Sequence, residues 1–195
     1  MYRFYLAAVD VIPAAVVLVP LFLILYVTAF ERNLIKSGMY CLFSLYLSAV
    51  FSLVGIPNIL YVRPEINLNL IPLLGIIDDL SNSLLNVLLF IPLGLFLPVI
   101  WTYYRNVKST VAFGIGLSLV IELLQMLTFR ATDVNDLITN TAGTAIGFLL
   151  VQPIICKFPA VEQRNREAYA LLGAAFGVMF FLHPFLSPVI WDNFL

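Results

Sequence analysis

The sequence predicts an all-α polytopic membrane protein, a single bundle of about six transmembrane helices. Three observations lead there. Of the 195 residues, 62% are hydrophobic and 11% charged, where a soluble domain is about half apolar and about a quarter charged. Most of this surface must therefore face something other than water. The apolar residues also fall into six runs, each near the roughly 20 residues a helix needs to cross about 30 Å of hydrocarbon. Finally, the runs show no period-two alternation. Of the two architectures that satisfy their own backbone in lipid, helix bundles and closed barrels, the pattern selects helices.

The spans follow in order. The first, Val11–Phe30, is too long for a removed signal peptide and lacks a clear small-residue cleavage site. The others are Gly38–Ile56, Leu84–Tyr104, Ser109–Thr128, Val134–Ile155 and Ala168–Ile190. Pro13, Pro20, Pro92 and Pro98 are expected to kink their helices. Most connections are short, so consecutive helices are expected to be antiparallel neighbours. With no repeat, low-complexity tract or soluble appendage in view, residues 1–195 are expected to form one integral membrane domain. The second loop, "VRPEINLNLIPLLGIIDDLSNS", stands apart. Its Asn67, Asn69 and Ser81 are interspersed with leucines and isoleucines, the pattern of a partly re-entrant or interfacial element packed on the bundle.

Charge sets the expected orientation. Arg32, Lys36, Arg105, Lys108, Lys157, Arg164 and Arg166 follow spans one, three and five, whereas Arg3, Arg63 and Arg130 fall on the other side. Basic loops stay in the cytoplasm, so both termini are expected to be extracytoplasmic. A net charge of −1 with sparse Lys and Arg leaves no surface for a nucleic-acid partner. Cys41 and Cys156 lie near the expected cytoplasmic ends of spans, where a reducing environment makes them packing residues.

Within this apolar chain the polar residues gather. Glu122 and Gln125 lie three apart on one face of span four. Span five opens with Asp133, Asp136 and Asn140, Arg130 stands just ahead of it, and Asn86 is in the first turn of span three. At 1.5 Å of rise per residue, the helix directions put Asn86, Glu122, Gln125, Arg130, Asp133, Asp136 and Asn140 in one zone. That zone is the outer leaflet, from the headgroups to about 10 Å down. A charged side chain at a helix centre costs about 2.5–3.5 kcal/mol on insertion scales. Such residues face the bundle interior, pair, and mark function. Arg130 is the counter-charge at hand.

Some of the set has ordinary structural work. Asp133 suits the N-cap of span five, and Asp136 its first turn. Asn140, Gly143 and Gly147 form a stripe, and "GTAIG" is a small-xxx-small motif that permits close helix approach. Glu122 is different: placed about 9 Å below the end of its helix, it has no helix end to serve. His183, the sole histidine, is expected to make one local hydrogen bond rather than do chemistry. Glu122, Asp133 and Asp136 are oxygen donors of the kind hard cations take, but their pattern assigns no metal. No catalytic triad, phosphate loop or Cys/His metal spacing is readable, and no cofactor is implied.

Four strings carry a resemblance: "NLIPL" at Asn69–Leu73, "NVLLFIPLG" at Asn86–Gly94, "ELLQ" at Glu122–Gln125 and "RATDVNDLITNTAGTAIG" at Arg130–Gly147. In content and order they resemble the VanZ-like family of bacterial membrane proteins, over a motif-bearing core of about residues 64–155. The resemblance implies a multi-pass protein of the bacterial cell membrane. It also implies a connection with resistance to teicoplanin, a lipid-tailed glycopeptide, since the family's name-giving member is linked to it. Three functions stay open. One is a polar cavity in the outer leaflet that lowers surface binding of such lipoglycopeptides, or engages an envelope lipid or lipid-linked wall precursor. Another is an intramembrane enzyme acting on an envelope lipid, with Glu122 or Asp136 as general base. The third is a small-solute transporter, which the lack of visible inverted repeats and of charge in the inner half disfavours.

Overall fold

A computed structural model describes residues 2–30, 32–64, 68–69, 80–128, 132–158 and 166–194. Its elements are α1 (Tyr2–Thr28), α2 (Leu34–Val54), β1 (Leu68–Asn69), α3 (Leu80–Ile100), α4 (Val107–Gln125), β2 (Thr132–Asp133), α5 (Val134–Val151), α6 (Arg166–Gly177) and α7 (His183–Phe194). Short 3-10 turns follow α3 and α5, and a π turn, Val178–Leu182, joins α6 to α7. Six stretches are long and apolar enough to cross a membrane: Val9–Thr28, Leu34–Val54, Leu80–Ile100, Val107–Gln125, Val134–Lys157 and Glu167–Asp192. The protein is an all-α polytopic membrane protein, as its composition predicts.

The third span departs from its expected limits. It begins at Leu80 rather than Leu84 and stops at Ile100 rather than Tyr104. Trp101 is extended and Thr102–Tyr104 form a 3-10 turn, with Trp101 and Tyr104 buried. Apolarity alone does not distinguish a buried aromatic turn from one more helical turn. Pro13 and Pro20 lie inside α1, Pro92 and Pro98 inside α3, and each helix continues past them. Most of the second loop, with the expected re-entrant element, falls at residues 65–67 and 70–79, outside the described residues.

The chain divides into two compact units, Met1–Val62 with Asn165–Leu195, and Arg63–Arg164. In the first unit α2 packs against both α1 and α6. Helix α2 has sharp ends. Asn33 accepts a hydrogen bond from the Lys36 N–H at 2.9 Å, and Gly55 closes the helix at φ 66°, a left-handed conformation that glycine adopts without Cβ strain.

The second unit is built on α3 against α5, with α4 against α5. The α3–α5 approach depends on missing side chains. A Cβ on Gly147 would lie 2.1 Å from the Ile91 carbonyl oxygen, and one on Gly143 would lie 2.3 Å from that of Val87. Gly94 answers from α3, where a Cβ would lie 2.1 Å from the Thr144 carbonyl. These are backbone-to-backbone contacts of the kind small-xxx-small stripes allow. The opposite faces carry exposed apolar side chains such as Leu88, Leu123, Leu149 and Leu150, suited to lipid.

Candidate functional site

The polar residues of the second unit form a seam between α4 and α5, extended by α3. On α4, Gly114, Ser118 and Glu122 recur every four residues, on one face. On α5, Thr144, Asn140 and Asp136 recur at the same interval in the opposite direction. A Cβ on Gly114 would meet the Thr144 hydroxyl at 2.5 Å. One step along, Asn140 Nδ2 donates to Ser118 Oγ at 2.9 Å, and both residues are buried. At the next step Glu122 lies within electrostatic reach of Asp136 and Asp133.

The start of α5 explains most of the remaining bonds. Asp133 is its N-cap, accepting the Asn135 N–H at 2.8 Å through Oδ1. Its other oxygen accepts from Asn69 Nδ2 at 3.0 Å, across the parallel pairing that sets Leu68 beside Thr132 and Asn69 beside Asp133. Asp136 Oδ1 accepts from Asn86 Nδ2 at 2.7 Å, which ties α3 to the first turn of α5. The N–H of Asp133 itself is taken by Glu122 Oε2 at 2.9 Å. In a capping box the N3 side chain of the same helix reaches back to that N–H. Here N3 is Asp136, which is occupied by Asn86, and a glutamate from the preceding helix takes its place. Thr132 Oγ1 adds a bond to the Glu122 carbonyl at 3.1 Å.

Two expectations are corrected. Glu122 does serve a helix end, that of α5, and it lies three residues from the end of its own helix, about 4.5 Å by helical rise, because α4 stops at Gln125. Asn86 lies in the second turn of α3, since the helix starts earlier than the hydropathy suggests. Of the candidate residues, Asn86, Glu122, Asp133 and Asp136 come together through these bonds and the charge proximity. Asn140 joins the seam through Ser118, and Gln125 is buried at the end of α4. Arg130 lies outside the described residues.

Sequence reasoning missed Ser118 and Thr132. The four-residue spacing of Ser118 from Glu122 was a readable signal. Thr132 carried none, because its role depends on a two-residue strand pairing. Asn69 was noticed only within a motif, not as a partner of Asp133.

Burial sharpens the picture. Glu122 and Asn140 are 5% and 3% exposed, and Glu122 Oε1 and Asn140 Oδ1 are buried without a hydrogen-bond partner among the described residues. A buried acceptor left open costs about 1–3 kcal/mol, more when charged. Both acceptors belong to the seam.

A second polar group occurs in the first unit. Ser52 Oγ donates to Asp10 Oδ2 at 2.8 Å, and His183 Nε2 lies 3.4 Å from Asp10 Oδ1. The histidine's partner is thus on α1, not local as expected, and Asp10 lies inside a helix that the sequence reading began one residue later. Because the carboxylate sits between hydroxyl and imidazole, this is not the Ser–His–Asp order of a nucleophile relay.

Residues 38–156 match the model of the VanZ/LLP1 family. The chain belongs to that family. The match contains every member of the seam and leaves out Asp10 and His183. A relative within the family, Protein VanZ of Enterococcus faecium, is 41% identical over 66 residues, covering 33% of this chain and 40% of that protein. The chain thus spans about two fifths of that relative's length. No solved structure matches the chain.

Proposed function

We propose that this VanZ/LLP1 protein lowers the action of lipid-tailed glycopeptides of the teicoplanin kind at the bacterial cell surface. It does so by engaging the drug, or the envelope lipid or wall precursor it competes for, at the α4–α5 seam. The carrying observation is the pair of buried open acceptors, Glu122 Oε1 and Asn140 Oδ1, inside the family-matched region. Membrane-embedded polar groups are retained where they contact a ligand or pathway. The reading requires the seam to lie toward the extracytoplasmic side, with both termini there too. That orientation follows from the distribution of Lys and Arg.

The test is teicoplanin susceptibility of a sensitive host expressing the chain, beside a glycopeptide without a lipid tail. Expression should raise the inhibitory concentration of teicoplanin severalfold and leave the other unchanged. Glu122→Gln keeps an oxygen for the Asp133 N–H but turns the open acceptor into a donor. The folded variant should lose protection, and full protection from a folded Glu122→Gln protein rejects the seam as the site. Cysteine labelling at position 164 in intact cells checks the orientation, since a reagent confined to the outside should not reach it.

A further inference from the structure

We infer that the group received at the seam is a primary ammonium, the donor-rich cationic end of an amphiphile or peptide; this rests on the reading that the seam is the ligand site. The hydrogen-bond inventory leads to it. Each of the side-chain donors named around the open acceptors already serves another group with at least one proton. Asn140 Nδ2 is held by Ser118, Asn86 Nδ2 by Asp136, Asn69 Nδ2 by Asp133, Thr132 Oγ1 by the Glu122 carbonyl and Thr144 Oγ1 by the Asn140 carbonyl. Glu122 Oε1 and Asn140 Oδ1 remain, both acceptors. A group that satisfies both must bring at least two donors.

Charge narrows the class. Asp133 and Asp136 act on Glu122 electrostatically, so the described residues of the seam favour a cation over phosphate or sulfate. A hydroxyl brings one donor and lone pairs that face further acceptors. A quaternary ammonium brings charge with no N–H. An –NH3+ group brings three donors, no acceptor and the matching charge. Among the described residues no group of three His, Cys, Asp or Glu side chains is placed to hold a metal ion.

A lipid headgroup or a peptide-like antibiotic could supply this chemistry, and the experiment separates them. The full-length protein in nanodiscs is tested for binding phosphatidylethanolamine against its N-acetylated and N-trimethylated counterparts. Separately it is tested for binding teicoplanin against its amine-acetylated derivative. The free amine should bind about tenfold or more tightly in at least one arm, the value of a charge-assisted hydrogen-bond set. Preference in the lipid arm assigns a headgroup, and preference in the drug arm assigns the antibiotic. Glu122→Gln should reduce the preference to near parity. Equal binding of free and blocked amines in both arms overturns the inference, and this comparison needs only the wild-type protein. The proposed function fails by a different result, the absence of any rise in teicoplanin tolerance.

Discussion

In the first unit, buried or half-buried carboxylates are met by side chains that bring charge or a hydroxyl. Lys36 Nζ lies 3.6 Å from Glu167, Tyr40 donates its hydroxyl to the same carboxylate, and Asp10 is held between Ser52 and His183. In the second unit, Glu122, Asp133 and Asp136 take donors from two side-chain amides and two backbone N–H groups, and Glu122 Oε1 remains open among the described residues. Both arrangements carry polar groups among apolar helices. The first resembles a clamp, in which each anion fastens one helix to another. The second fastens the start of α5 with part of its acceptors, while Glu122 Oε1 and Asn140 Oδ1 have no hydrogen-bond partner among the described residues. Intramembrane charge is therefore not one category: the partners that meet it differ between the two units.

The units differ in how their helices meet as well. Gly94, Gly143 and Gly147 bring the backbones of α3 and α5 together, whereas added Cβ atoms on Gly173 and Gly177 of the first unit would meet nothing within 4 Å. The first unit is joined by large rings, such as Phe51 edge-on to Phe176 at 6.1 Å. Close backbones let a side chain as short as asparagine reach from α3 to α5. The polar seam of the second unit depends on its glycines for that reason.

The largest effect should come from breaking that approach. Gly147→Leu drives a side chain into the Ile91 carbonyl, and overpacking of this kind costs about 1–3 kcal/mol, more when backbone must move. Fluorescence-detected size exclusion should show loss of the monodisperse protein. The matched Gly173→Leu in the first unit should elute like the parent, and similar losses in both would erase the contrast.

Next is Asp10→Ala, which strips Ser52 of its acceptor and removes the carboxylate 3.4 Å from His183 Nε2. Hydrogen bonds to charged groups contribute about 1.5–3 kcal/mol, so the melting temperature in detergent should fall clearly. Teicoplanin protection per folded molecule should be unchanged. If protection vanished with the protein still folded, the clamp reading of the first unit would be wrong.

A smaller change is expected at the N-cap. Asp133→Ala should cost about 1 kcal/mol and Asp133→Asn only a few tenths, because asparagine caps about as well as aspartate. A thermal melt of both variants measures the gap. Equal losses would mean that charge, rather than the bond to the Asn135 N–H, holds that end of α5.

Lys36→Met should change least. Its ion pair with Glu167 is partly exposed, and such pairs contribute about 0–1 kcal/mol. The methionine retains apolar reach toward Phe30 and Tyr40, which now lie under the ammonium. A chemical-denaturation midpoint close to the parent's is the expected result.

Six spans, the helical class and the N-cap at Asp133 were determined by sequence alone, for they follow from hydrophobic length and from a capping preference acting over a few residues. So did the gathering of polar groups near the start of α5 and the glycine stripe that permits close helix approach, though not that α3 is the helix it meets. Tertiary structure decided the partners. Glu122 caps a helix it does not belong to, Asn86 reaches Asp136, and Asn69 reaches Asp133. Each of these depends on where a helix stops and in what register its neighbour returns. Hydropathy blurs such ends, as it did at Gln125 and Tyr104, because lipid-facing and protein-buried residues are equally apolar. Asp10 shows the same limit from the other side. A carboxylate at the edge of an apolar run reads as exposed until a second helix brings a hydroxyl and a third an imidazole, and only the packed chain supplies those.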